Sequence, residues 1–514
     1  MARGGRLWRA GRGLAVNYAF EAIGLVLGIT SVPWLLAHLG PVGYGEYLTL
    51  QSLSSMLGLA EFGAVGATLT WVARASSAKE RTAPAPIFRR ALLVGVGSAA
   101  LLVMGLTLAG PRLLQVVGLD ADRPTSGPLL AAVCAVAALG FLLPLSLTLH
   151  NGLQDLARAA VVNGLVRLTS VIAACWAAWR WQDVISVLWA TAAVSTFGVA
   201  AGLVDAHRRH GAFERPRDGL SLRAIATQWR GGWDYFVLGL ANASSASAPT
   251  LAISSTLGPG AVPAFAVPWR LATMGLGLVV NFSAVLVPGL AEAWARGDRA
   301  WTLALVDRLL RAFAVVSGVG VALLAVSGPS FVAWWTLGRV TVSTGVALSA
   351  GVAAAAWALL ALLRFTLASV GARRSMTTTE LVAGLTAFVL AVAAAAAWGQ
   401  AGVGGALALG LGATGGRWLA AALREALGVA RLAPPWRTWG VFAAAFGSAA
   451  ALASGLEWAT NSLGPGVSWL LGACSGGAGG IWVGLSLSGW RRPGAAPGLD
   501  VPPAGPAPAP GASP

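Results

Sequence analysis

Four arginines, Arg167, Arg270, Arg364 and Arg417, sit inside stretches that are otherwise apolar. A charge at the centre of a bilayer costs about 2.5–3.5 kcal/mol on insertion scales, so each marks either a site or a route back to water. A guanidinium is planar, permanently charged and able to grip a phosphate with two parallel hydrogen bonds. The chemistry on offer is therefore capture of an anion in a low-dielectric cavity. Arg270 lies about two turns into its segment from one end, too deep for an easy exit, and Arg417 is similarly deep. Arg167 is also remote from its nearer end. For these three a cavity position competes with snorkelling to an interface. Arg364 lies close to Gly371 and Arg373, and snorkelling is its expected fate.

Two acids are comparably deep. Glu21 falls about two turns into the first apolar segment and Glu61 near the middle of the second. Each has two readings: a salt bridge to a deep arginine, or a role in proton or ion coupling. Asp234 and Glu380 lie near segment ends, where capping or interfacial roles are expected. Cys134, Cys175 and Cys474 are scattered singly, so no metal or disulfide site is expected. Walker loops, His-Glu-x-x-His and Gly-x-Ser-x-Gly are absent from the sequence, which offers no catalytic residues and calls for no cofactor. Gly410, Gly412 and Gly415 spell a dinucleotide fingerprint, but inside an apolar segment with no preceding strand. Gly24-Leu-Val-Leu-Gly28 and Gly412-Ala-Thr-Gly-Gly416 suit close helix packing better.

These residues are held by a chain of 514 residues that is 56% hydrophobic and only 11% charged, with a mean hydropathy of +0.72. Soluble domains carry about 25% charged residues, so a water-soluble protein is excluded. Continuous apolar runs of roughly 20 residues exclude a β-barrel as well. The net charge of +16 invites nucleic acid, but the basic residues cluster between apolar segments, as the positive-inside rule requires. Only Arg112, Arg123, Arg180 and Arg339 fall on the opposite, external side. The first apolar stretch is longer than a signal-peptide core and carries Glu21, so it reads as a retained helix. Tryptophans such as Trp8, Trp34, Trp181 and Trp398 stand at segment ends, where indoles favour the headgroup zone.

The predicted fold is an all-α polytopic membrane protein with about 14 transmembrane helices. Two hairpins organise it: residues 14–37 and 46–72, joined by His38-Leu-Gly-Pro-Val-Gly-Tyr-Gly-Glu46, and segments near 231–256 and 262–290, joined across Thr256-Leu-Gly-Pro-Gly260. Such duplication is the internal symmetry on which transporters are built. The expected organisation is a first six-helix lobe over 1–206, a cytoplasmic linker over 207–230 and a second six-helix lobe over 231–423. An appended helix pair over 424–489 and a Pro/Ala/Gly-rich disordered tail over 490–514 complete it. Six crossings between the hairpins would bring both turns to the same side, with the lobes related by a pseudo-twofold along the membrane normal. Arg81, Arg217, Arg373 and the tail should be cytoplasmic, and Asp122, Arg339 and Asn461 external.

Three stretches resemble the polysaccharide flippases of the multidrug/oligosaccharidyl-lipid/polysaccharide exporter superfamily. They are Asn17 with Leu39-Gly-Pro-Val-Gly-Tyr-Gly-Glu-Tyr47 and Ala60-Glu-Phe-Gly63; Leu257-Gly-Pro259 with Arg270 and Pro288; and the turn Gly371-Ala-Arg-Arg374. The similarity runs over about residues 10–430. It implies two lobes forming a V around a central cavity, alternating access, and an undecaprenyl-diphosphate-linked oligosaccharide as cargo at a bacterial inner membrane. Many relatives carry an Asp shortly before the second Leu-Gly, where this chain reads Ala248-Pro-Thr-Leu-Ala-Ile-Ser254, so that residue's role does not carry over. The partners implied are the lipid-linked oligosaccharide, membrane lipids, a proton or sodium ion, and other polysaccharide-assembly proteins, with no nucleic acid. A cation-coupled drug exporter of the same fold is the alternative, which would want acidic cavity residues. A membrane glycan polymerase or ligase is a third reading, disfavoured by the short external loops.

Overall fold

The computed structural model describes residues 3–77, 84–213, 232–370, 373–428, 435–460 and 465–487. Most of the expected inter-lobe linker, the whole 490–514 tail, and Arg81, Arg217 and Asn461 lie outside the described residues. Among the described residues there are helices and no strands. In chain order they are α1 (Arg3–Leu57), α2 (Ala64–Ser77), α3 (Pro84–Val116), α4 (Ser126–Gly152), α5 (Leu156–Trp181), α6 (Val184–His210), α7 (Trp233–Leu257) and α8 (Val262–Ala295). Then follow α9 (Arg299–Val326), α10 (Gly328–Trp335), α11 (Thr344–Ser369), α12 (Arg373–Ala408), α13 (Arg417–Leu427), α14 (Pro435–Thr460) and α15 (Pro465–Leu487).

Among the described residues ten helical stretches are long and apolar enough to cross a bilayer, fewer than the expected 14. Two of the ten are too long for one crossing, at 46 and 52 residues. At 1.5 Å per residue the shorter would run about 69 Å, more than twice a hydrocarbon core of about 30 Å. Each is broken at a glycine with positive φ, Gly40 (φ 69°) and Gly399 (φ 64°). These single residues replace the longer turns expected over 38–46 and 399–404. Helix resumes at once after Gly40 because Pro41 occupies a first-turn position, where its missing N–H costs nothing. The second expected segment, 46–72, is interrupted instead by a 3₁₀ turn, Gly58–Glu61, followed by left-handed Phe62 and Gly63.

Large apolar side chains such as Leu108 and Phe197 stand more than three-quarters exposed on these helices. A helix apolar on its outer face needs a hydrocarbon environment, so this is a multi-pass membrane protein.

The chain divides into two compact units. The first comprises Met1–Met274, Gly328–Trp357 and Thr377–Gly415, and the second Gly275–Ser327, Ala358–Met376 and Gly416–Pro514. These limits differ from the six-helix lobes expected from hairpin duplication, because they follow packing and not chain order; both hairpin turns fall in the first unit. Its core gathers Val32, Leu36, Tyr44, Leu50, Leu114 and Leu188. In the second unit α9, α14 and α15 pack through small residues, with Val319, Ala322, Ala445 and Ala449 buried. A Cβ at Gly318 or Gly480 would press on the backbone of α14.

Candidate functional site

The site is built on one face of α1. Gly24 and Gly28 are one turn apart, so they present adjacent gaps on the same stripe. Each gap holds a guanidinium. A Cβ at Gly24 would lie 2.9 Å from Arg167 Nη2, and one at Gly28 would lie 3.1 Å from Arg270 Nη2. Two of the three arginines expected in a cavity therefore meet on a single glycine notch.

Arg167 arrives from α5, which is locked lengthwise on α1. Trp34 Nε1 donates to the Cys175 carbonyl at 3.0 Å, and Gly164 leaves room for the Phe20 ring. That register sets Glu21 opposite Arg167, and the two join fork to fork, with Nη1–Oε1 at 2.5 Å and Nη2–Oε2 at 2.7 Å. Both side chains keep substantial exposure, at 49% for Arg167 and 39% for Glu21. Glu21 is thus ion-paired with Arg167.

Arg270 arrives from α8. The start of that helix is fixed by Pro259 in its preceding 3₁₀ turn and by the buried side chains Val262, Phe265 and Val267. Its guanidinium lies half-buried beside Gly28 and interacts electrostatically with the fully buried Tyr44. Among the described residues it faces no carboxylate within salt-bridge distance.

Arg417 belongs to the second unit, exposed at the first residue of α13. It follows a π-helical turn, Leu409–Gly416, in which Gly410 packs its bare Cα against Ala387. Glu61 is spent on the backbone. Its Oε2 accepts from Val65 N at 2.6 Å, capping α2 just after the break in the second segment. Arg364 lies over the Phe365 ring, 5.6 Å from its centroid. Glu380, expected near an interface, is buried within α12, and no cluster of metal-ligating side chains occurs among the described residues.

Around the notch, helices meet where side chains are missing. Gly45 lets the Pro259 carbonyl approach α1, so the two hairpin turns touch at one end of the first unit. Beside them Gly118 (φ 78°) admits the Ser254 carbonyl, and Ser254 Oγ donates to Val117 O at 2.6 Å. Arg123 binds Glu46 at 2.8 Å, and that carboxylate pushes the guanidinium above its ordinary pKa. Farther along, Gly63 and Gly66 rest on Gly232 and the Tyr235 ring, and Tyr235 Oη meets Thr70 Oγ1 at 2.7 Å.

Residues 10–294 match the family described as polysaccharide biosynthesis protein. The chain belongs to that family. Comparison with curated proteins gives no match. Among solved structures, lipid II flippase MurJ in an inward closed conformation superposes with a TM-score of 0.69 at 11% identity, covering 93% of this chain and 98% of that one. An inward-facing multidrug resistance MATE transporter of the MOP superfamily gives 0.61 at 13% identity, over 81% of this chain and 99% of that one. A MOP superfamily transporter from Pyrococcus furiosus gives 0.52 at 12% identity, over 82% and 94%. The polysaccharide biosynthesis chain thus shares the MurJ and MATE fold. Sequence reasoning marked Gly24 and Gly28 as a packing motif and missed that they admit arginines. It also passed over Tyr44, whose only signal was its place in the hairpin turn.

Proposed function

We propose that this chain is a flippase that carries an undecaprenyl-diphosphate-linked oligosaccharide across the bacterial inner membrane by alternating access. On this reading it spans the membrane about 14 times. The lobes are the two sets of six over 1–206 and 231–423, with both termini cytoplasmic. The observation that carries the proposal is Arg270. A half-buried guanidinium with no carboxylate among the described residues is costly to keep, and an anionic ligand offsets that cost. Arg167 stands one gap away on the same notch, so two phosphates of one cargo have two guanidiniums to meet. Arg417 is assigned to the same cargo path on charge alone. Family membership and the shared fold support a transporter and not an enzyme.

The drug-exporter alternative needs acids free to hold a cation. Glu21 is engaged by Arg167 and Glu61 caps α2, which weighs against it. The test is surface glycan export in cells whose own flippase gene is replaced by Arg270→Ala. Export should fall while the protein still inserts, and Arg270→Lys should restore it only in part, because lysine keeps the charge and loses the fork. Export at the native rate from Arg270→Ala and from Arg270→Ala/Arg417→Ala would overturn the reading.

A further inference from the structure

Glu21 and Arg167 form a complete bidentate pair, yet both remain open to the space beside α1. An ion pair offsets the cost of carrying either charge inside an apolar segment. This one also sits at a particular place. Glu21 is three residues before Gly24, so carboxylate, glycine gap and guanidinium share the face that holds Arg270 one turn on. A carboxylate and a phosphate present oxygen pairs of similar spacing to the same fork. One fork cannot hold both, since two anions at contact distance repel.

We propose that Glu21 is an intramolecular stand-in for phosphate, holding the Arg167 fork while the notch is empty and yielding it to the second phosphate of a diphosphate lipid anchored on Arg270. The proposal rests on the flippase reading above and adds a residue that opposes binding. Glu21 keeps the empty notch neutral at Arg167 and leaves only Arg270 to attract cargo. After translocation it retakes the fork and expels the diphosphate. Tight capture would stall a carrier; a resident competitor shortens the bound state. Glu21 is thus a positioning residue, acting on the cargo through Arg167.

The test measures binding of geranylgeranyl diphosphate and of phosphatidylglycerol to the purified full chain in detergent, by native mass spectrometry. Glu21→Gln removes the charge and nearly keeps the shape, and should bind the diphosphate about fivefold tighter, a change of about 1 kcal/mol. In an Arg167→Ala background the same substitution should change nothing. Glu21→Asp, which keeps the charge but retreats by a methylene, should fall between. A merely structural role predicts the opposite sign, because a loosened helix pair binds less.

Unchanged or weaker diphosphate binding by Glu21→Gln, or tightening that persists without Arg167, overturns the proposal. So does phosphatidylglycerol binding wild type as tightly as the diphosphate, which would make the occupant an ordinary lipid headgroup. Arg270→Ala separates the two levels. If it abolishes binding while Glu21→Gln has no effect, only the stand-in fails; if it binds the diphosphate as wild type does, the flippase reading fails too.

Discussion

Replacing Gly28 with alanine should separate stability from transport. An added Cβ would sit 3.1 Å from Arg270 Nη2 and 3.1 Å from Met274 Cε, both ends of flexible side chains. Each must move by a few tenths of an ångström, which a long side chain does cheaply. Within a helix, alanine is also favoured over glycine by about 1 kcal/mol. Thermal unfolding in detergent should therefore be unchanged or shifted slightly upward. The guanidinium, however, leaves its place beside Tyr44. A hydrogen bond from a charged group is worth about 1.5–3 kcal/mol, and a guanidinium misaligned toward a bound phosphate should forfeit about 1 kcal/mol of it, near fivefold in diphosphate-lipid binding. Gly28→Leu fills the gap outright and should cost tenfold or more. Binding measured beside melting for glycine, alanine and leucine gives the answer. If binding stays flat across the series while the protein remains folded, the notch does not hold the cargo site.

Tyr44→Phe keeps the buried ring and removes the hydroxyl that Arg270 faces; glycan export should fall several-fold with melting little changed, as measured side by side. Gly118→Ala should destabilise the fold by about 2 kcal/mol or more, since the residue has positive φ and its Cβ would strike the Ser254 carbonyl; a melting temperature equal to wild type would contradict that packing. Glu61→Ala removes the cap on α2 and should cost about 0.5–2 kcal/mol, seen as faster amide exchange at Val65 and its neighbours. Single cysteines at Asp122 and Arg339 should react with an impermeant reagent in intact cells and one at Arg373 should not; labelling at 373 would reverse the topology.

The membrane class and the positions of the spans are legible because each run of apolar residues is long enough to carry its own signal. Gly40 announces its break through the proline that follows. The break at Gly58–Glu61 has no such marker: Ala60-Glu-Phe-Gly63 reads as continuous apolar helix with one acid, and only the left-handed turn at Phe62 and Gly63 gives Glu61 its role. Arg167 and Arg270 stand out by depth, which is a local property. Their meeting on α1 is not local, since it depends on the register of α5 and α8 against one helix. The pairing of Glu21 is hidden for the same reason: depth alone leaves both a bridge and a coupling role open. Arg417 shares that depth in the sequence and stands exposed at the start of α13.

The meeting of the two hairpin turns bears on how related chains should be compared. At Gly45 the neighbour is a main-chain carbonyl, that of Pro259, and a carbonyl is present whatever residue occupies position 259. A bulkier residue at 45 therefore has no compensating partner change available; the only remedy is to move a whole helix. Variation at 45 would report on architecture and say nothing of cargo. At 21, 167 and 270 the neighbours are side chains, which can be exchanged in concert. A change of carried sugar-lipid would leave its trace there, as correlated replacements, while the glycine at the turn stayed silent.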